Sequence, residues 1–165
     1  MEETDSAPRR HVKPSVLAWV RVMRLYNAVS RLAAAQLSKD GVSGPRFDVL
    51  AQLGALGGAC AAQDALVRRL MVTKGNVSTL IHKMVQDGLI SRKEDPANRR
   101  RNRLALTPKG EALRRRAVPR HEQWVDELFS VLSSREQEIL EALLAKLLSG
   151  IKRRSEIQSV KRRKP

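Results

Sequence analysis

A mainly α-helical fold with a small β-wing is what this 165-residue sequence predicts, and three observations predict it. The first is Val72 to Gly88, VTKGNVSTLIHKMVQDG, where Val77, Leu80, Ile81, Met84 and Val85 recur as a single helical stripe. The second is the pair of segments 89–94 (LISRKE) and 103–106 (RLAL), joined through Asp95-Pro96-Ala97-Asn98, residues that favour a tight turn. The third is composition: 42% apolar residues with only 3% aromatic suit a helical core of Leu, Ala and Val.

Each element then follows in order. Residues 1–14 mix charges and prolines without periodicity and read as a mobile N-terminal tail. Residues 15–40 form a long helix with Val16, Val20, Met23, Leu25, Val29, Leu32 and Ala33 as apolar positions, closed by Gly41. Gly44-Pro45 starts a second helix that turns Phe47, Leu50 and Leu53 inward and ends within 54–58. Residues 62–70, AQDALVRRL, form a third, which Ala62 caps less well than Ser or Thr by about 1 kcal/mol. Only Met71 and Val72 separate it from the next helix, the spacing of a helix-turn-helix. Thr73 is the N-cap of that helix, Val72 packs on Val77 as a staple, and Gly88 is the stop.

After the hairpin, Thr107-Pro108 opens a further helix that Pro119 is expected to kink. Ser133 to Glu136 reads as a capping box for the last helix, where Ile139, Leu140, Leu143, Leu144, Leu147 and Leu148 make a broad apolar stripe. Residues 151–165 are expected to be a disordered basic tail. The DNA-binding part is thus bounded at about 44–106, inside a domain of 15–150 whose helices at 15–40 and 108–150 have no evident cover within the chain.

The charge says what the partner is. Of a net +15, residues 88–116 carry +7 and residues 150–165 carry +6. Localised positive charge points to nucleic acid rather than an anionic membrane. The hairpin holds Arg99, Arg100, Arg101 and Arg103 beside a helix whose outer face has no acid before Asp87. A helix for the major groove and an arginine-bearing hairpin for backbone or minor groove make a winged helix-turn-helix. Thr73, Lys74, Gly75 and Asn76 at the helix N-terminus suit phosphate and the first base edges. Ser78, Thr79 and His82 lie further along that face, where side chains meet bases, and Lys83 suits phosphate.

Other classes are poorly served. No apolar run approaches the ~20 residues of a membrane span, and no signal-type apolar core follows the N-terminus, so a cytoplasmic protein is expected. The lone Cys60 forms no intrachain disulfide. His11, His82 and His121 lack metal-ligand spacing, and there is no Gly-rich phosphate loop, HExxH or serine elbow. The chain is read as non-enzymatic, without cofactor or metal.

Residues 66–113, LVRRLMVTKGNVSTLIHKMVQDGLISRKEDPANRRRNRLALTPKGEAL, resemble in order the helix, wing and LTPKG hinge of the MarR (multiple antibiotic resistance regulator) family. GPRFDVLAQL, residues 44–53, is similar to that family's second helix, and the resemblance runs over about 15–150. It implies a winged helix-turn-helix domain inserted between N- and C-terminal dimerisation helices, and a homodimer. Such a dimer would bind double-stranded DNA at an inverted-repeat operator with half-site centres about 10 bp apart, as a repressor. It also implies a small aromatic or anionic effector, for which Trp19, Tyr26 and Phe47 could line the pocket and Arg24 or Arg92 meet the anion.

Arg100 is the position matched to minor-groove insertion. There are departures. Asn98 stands where similar proteins carry an aspartate before the paired arginines, and Ala62 where a hydroxyl cap is common. The first helix lacks the cysteine of the family's thiol switches. The alternatives are a nonspecific nucleoid-associated or RNA-binding basic module, and a winged helix that binds protein.

Overall fold

The structure, a computed structural model, describes residues 12–56, 61–70, 74–96 and 98–161, without the side chains of 74, 75, 99–101 and 155–161. The expected tail at 1–14, the Thr73 cap, the Val72 staple and Cys60 thus fall wholly or largely outside the described residues.

Helix α1, Pro14–Ser38, begins at a proline, tolerated where an N–H has no helical partner. Helix α2, Gly44–Ala55, opens on Pro45 and buries Val49, Leu50 and Leu53. Strand β1, Ala61–Ala62, leads into α3, Gln63–Arg69, whose N-cap Ala62 makes no side-chain capping bond. Helix α4 spans Lys74–Gln86, strands β2 and β3 are Ile90–Asp95 and Asn98–Leu106, and α5 and α6 are Pro108–Phe129 and Ser134–Lys161.

Three expectations need correction, and the helix expected to be kinked at Pro119 runs through it unbroken. Strand β1 was not foreseen, because two alanines carry no periodicity. It exists through a distant partner, Ala61 facing Leu104 and Ala62 facing Arg103 in an antiparallel sheet ordered β1-β3-β2. The return strand begins at Asn98 rather than Arg103, which places Arg99 to Arg101 in its backbone. Pro119 does not interrupt α5. Proline removes only one donor there, and both Pro119 and Arg115, whose carbonyl loses it, are exposed to water. Residues 152–161 continue α6 instead of forming a tail, since Lys, Arg, Glu and Gln are good helix formers and no proline intervenes.

The chain divides into two compact units, one through His121 and one from Glu122. In the first, α2, α3, α4 and the sheet close on a core whose wholly buried side chains include Leu50, Leu53, Leu66, Ile81, Met84 and Leu104. Each contributes about 1.5–3 kcal/mol by leaving water. Asp40, buried after α1, accepts from Arg120 at 2.7 Å and lies 3.3 Å from Arg116 Nε, while Arg116 donates to its carbonyl at 2.9 Å. These bonds fasten α5 to the end of α1. His121 adds a 2.9 Å hydrogen bond to Gln36 and packs its ring 4.5 Å from that of Phe47.

In the second unit the capping box forms as the sequence predicts. Ser133 N–H and Oγ donate to Glu136 at 2.8 and 2.7 Å, which lowers the Glu136 pKa. Gln137 donates to the Phe129 and Leu132 carbonyls, closing the turn before α6. Leu143, Leu144, Leu147, Leu148 and Ile151 stay exposed.

Candidate nucleic-acid interface

Helix α4 sorts its residues as the 3.6-residue period requires. Val77, Ile81 and Met84 are buried, with Leu80 and Val85 packed partly against the same core. Asn76, Ser78, Thr79, His82, Lys83 and Gln86 are exposed on the opposite side. That face offers amide, hydroxyl, imidazole and ammonium groups, donors and acceptors of the kind that base edges and phosphates accept. Lys74 and Gly75 form the first turn, with side chains outside the described set.

The C-terminal end of α4 is fully accounted for. Gly88 N–H donates to Val85 O at 3.0 Å and Leu89 N–H to Met84 O at 2.9 Å, a Schellman closure. It requires Gly88 at φ +69°, a conformation a Cβ disfavours. The hinge then docks on this turn. Thr107 Oγ1 donates to Gly88 O at 2.5 Å and caps α5 by accepting from Gly110 N–H at 3.1 Å. Gly110 packs so closely that a Cβ there would overlap the Leu89 carbonyl oxygen. Lys109 Nζ donates to Asp87 O at 2.8 Å, and Arg46 of α2 pairs with the Asp87 carboxylate. One turn into α5, Arg114 and Arg115 each bond Glu111 at 2.8 Å and hold its pKa down to about 2. Arg114 also lies across Gly54 of α2.

The wing register steps from Glu94↔Asn102 to Asp95↔Asn98, so Arg99, Arg100 and Arg101 occupy an irregularity in β3. Their side chains lie outside the described residues. Arg92 and Lys93 are exposed on β2, and Arg103 is half-buried opposite Lys93.

The five residues named for an effector do not converge in the single chain. Trp19 and Tyr26 are 62% and 67% exposed on α1, as is Arg24, whereas Phe47 is tucked against His121 and Arg92 stands on the wing. None lines the cleft of about 600 Å³ beside the α4 C-terminus, which is bordered by Arg46, Asp87, Leu89, Lys109, Leu113 and Arg116 among others. Sequence reasoning passed over Arg46 and Lys109, and also the exposed Arg68 and Arg69 that end α3. The basic last turn of α3 was a visible signal; the Arg46–Asp87 pair, 41 residues apart, was not.

Comparison with known proteins places this geometry. The sequence model of the MarR family matches residues 40–101. An HTH-type transcriptional regulator of Bacillus cereus is 30% identical over 132 residues, covering 79% of this chain and 86% of its own. Escherichia coli MarR complexed with operator DNA superposes with TM-score 0.71 at 25% identity, covering 81% of this chain and 96% of its own. An organohalide-sensing transcriptional regulator in its 2,4-dichlorophenol-bound form superposes with TM-score 0.77 at 22% identity, covering 91% and 89%. The chain belongs to the MarR family of winged helix-turn-helix transcriptional regulators, a DNA-binding and not an enzymatic family.

Proposed function

We propose that this chain is a homodimeric, sequence-specific repressor that binds an inverted-repeat operator and responds to a small aromatic or anionic effector. The observation that carries the DNA reading is α4 itself, whose stripe is held in the core while Asn76, Ser78, Thr79, His82 and Lys83 remain exposed beside the arginine-bearing wing. The two-fold assembly is supported by the exposed apolar side chains of α1 and α6. Within it, two copies of α4 meet successive major-groove faces, which makes the operator an inverted repeat with half-site centres about 10 bp apart. Thr73, Lys74 and Gly75 would meet phosphate at the helix N-terminus. Arg100, flanked by Arg99 and Arg101, would enter the minor groove.

Selection from random duplex DNA at near-physiological salt tests this. Enrichment of such an inverted repeat is the expected result, whereas tight, salt-sensitive binding without a motif would mean a nonspecific basic module. Arg100→Ala is expected to weaken operator binding and flatten the slope of log K against log salt by about one unit.

The effector reading is supported by the 2,4-dichlorophenol-bound structural neighbour and by a Streptomyces coelicolor regulator, PcaV, solved with its natural ligand. In the dimer, Trp19, Tyr26 and Phe47 would line the site, with Arg24 or Arg92 meeting the anion. A ligand acts only by binding the DNA-incompetent arrangement better than the competent one. Titrating aromatic acids against the operator complex tests it; affinity that never changes removes the effector.

A further inference from the structure

We propose that Arg46 and Lys109 are positioning residues for DNA readout: they hold the last turn of α4 from α2 and from α5, and so set the angle at which its outer face meets the bases. This rests on the DNA-binding reading above. Apolar packing fixes α4 along its length through Val77, Ile81 and Met84, and Leu89 and Ile90 just past its end are buried as well. Asp87 and Lys109, by contrast, border an open cleft of about 600 Å³, so on that side the last turn is held by polar ties rather than by apolar packing alone.

Those ties are two. Arg46, in the first turn of α2, pairs with the Asp87 carboxylate, and Lys109, in the first turn of α5, donates to the Asp87 carbonyl at 2.8 Å. Asp87 by itself is misplaced, because a carboxylate at a helix C-terminus faces the negative end of the helix dipole. Two cations converging on it reverse that penalty and turn the residue into an anchor point. Arg46 and Lys109 sit on α2 and α5 rather than on α4 itself, and each places its charged group on Asp87. Their influence on DNA therefore passes through the pose of α4.

Positioning and phosphate contact make different predictions. Arg46→Met and Lys109→Met should each lower the ratio of operator affinity to random-duplex affinity by about tenfold, because base contacts need the helix angle and nonspecific contacts do not. The slope of log K against log salt should stay as in the unaltered chain. Arg46→Lys and Lys109→Arg, which keep the cation, should restore most of the ratio.

Thermal unfolding of each variant, measured alongside, separates a shifted helix from a failed fold, and Asp87→Asn provides a second test at the shared anchor. An unchanged ratio in folded Arg46→Met and Lys109→Met overturns the proposal. So does equal loss on operator and random duplex with a flatter salt slope, which would make the two residues phosphate contacts. Failure of the DNA-binding reading itself shows separately, as no operator preference in the unaltered chain.

Discussion

Helices α4 and α6 carry the same kind of apolar stripe and meet opposite fates. In α4, Val77, Ile81 and Met84 are covered by α2, α3 and the sheet of the same chain. In α6, Leu143, Leu144, Leu147 and Leu148 remain about half-exposed or more, at 60%, 45%, 54% and 53%. Periodicity thus declares that a face wants cover without saying whose. Where the chain supplies the cover, only the opposite, polar face is left exposed; where it does not, the apolar face itself stays exposed.

The largest expected effect tests the covered side. Leu50→Ala, in the core that supports α4, should cost about 2–5 kcal/mol in urea denaturation, because a wholly buried side chain leaves a cavity. Gly110→Ala should cost about 1–3 kcal/mol in the same measurement, since its methyl must push the Leu89 carbonyl off the end of α4. On the uncovered side, Leu144→Glu with Leu147→Glu should leave the helical signal near that of the unaltered chain. The pair should weaken self-association at least about tenfold in sedimentation, because two charges would enter an apolar contact. Loss of fold instead would mean that the α6 stripe is covered within the chain.

The smallest effect is electrostatic. Glu111 has its pKa lowered from 4.5 to about 2 by Arg114 and Arg115, so its contribution is present above pH 4.5 and fades as pH falls towards 2. The stability difference between the unaltered chain and Glu111→Gln should therefore shrink between pH 6 and pH 3. A constant difference would show that the pair acts by packing over Gly54 rather than by charge.

Much of this architecture was legible because its signals are local. The α4 stripe, the Gly88 stop, the Thr107-Pro108 start and the Ser133–Glu136 box each lie within one or two turns of chain, and each formed where the residues indicate. The outer face of α4 was legible for the same reason: once Val77, Ile81 and Met84 face inward, Ser78, Thr79 and His82 face out. The continuation of α6 through Lys161 was also written in helix-forming residues, but a run of like charge there reads equally as a tail.

By itself, then, the sequence determined which segments are helices, where most of them stop, and which side of each is apolar, since caps and periodicity act over a few residues. Only the tertiary structure decided what depends on segments distant in the chain. It gave Ala61-Ala62 a strand by pairing them with Leu104 and Arg103, and set Gly110 against Leu89. It also brought Arg46 to Asp87 and Arg120 to Asp40. A contact across 41 or 80 residues leaves no pattern in either segment, because its partners are matched by the fold and not by their neighbours.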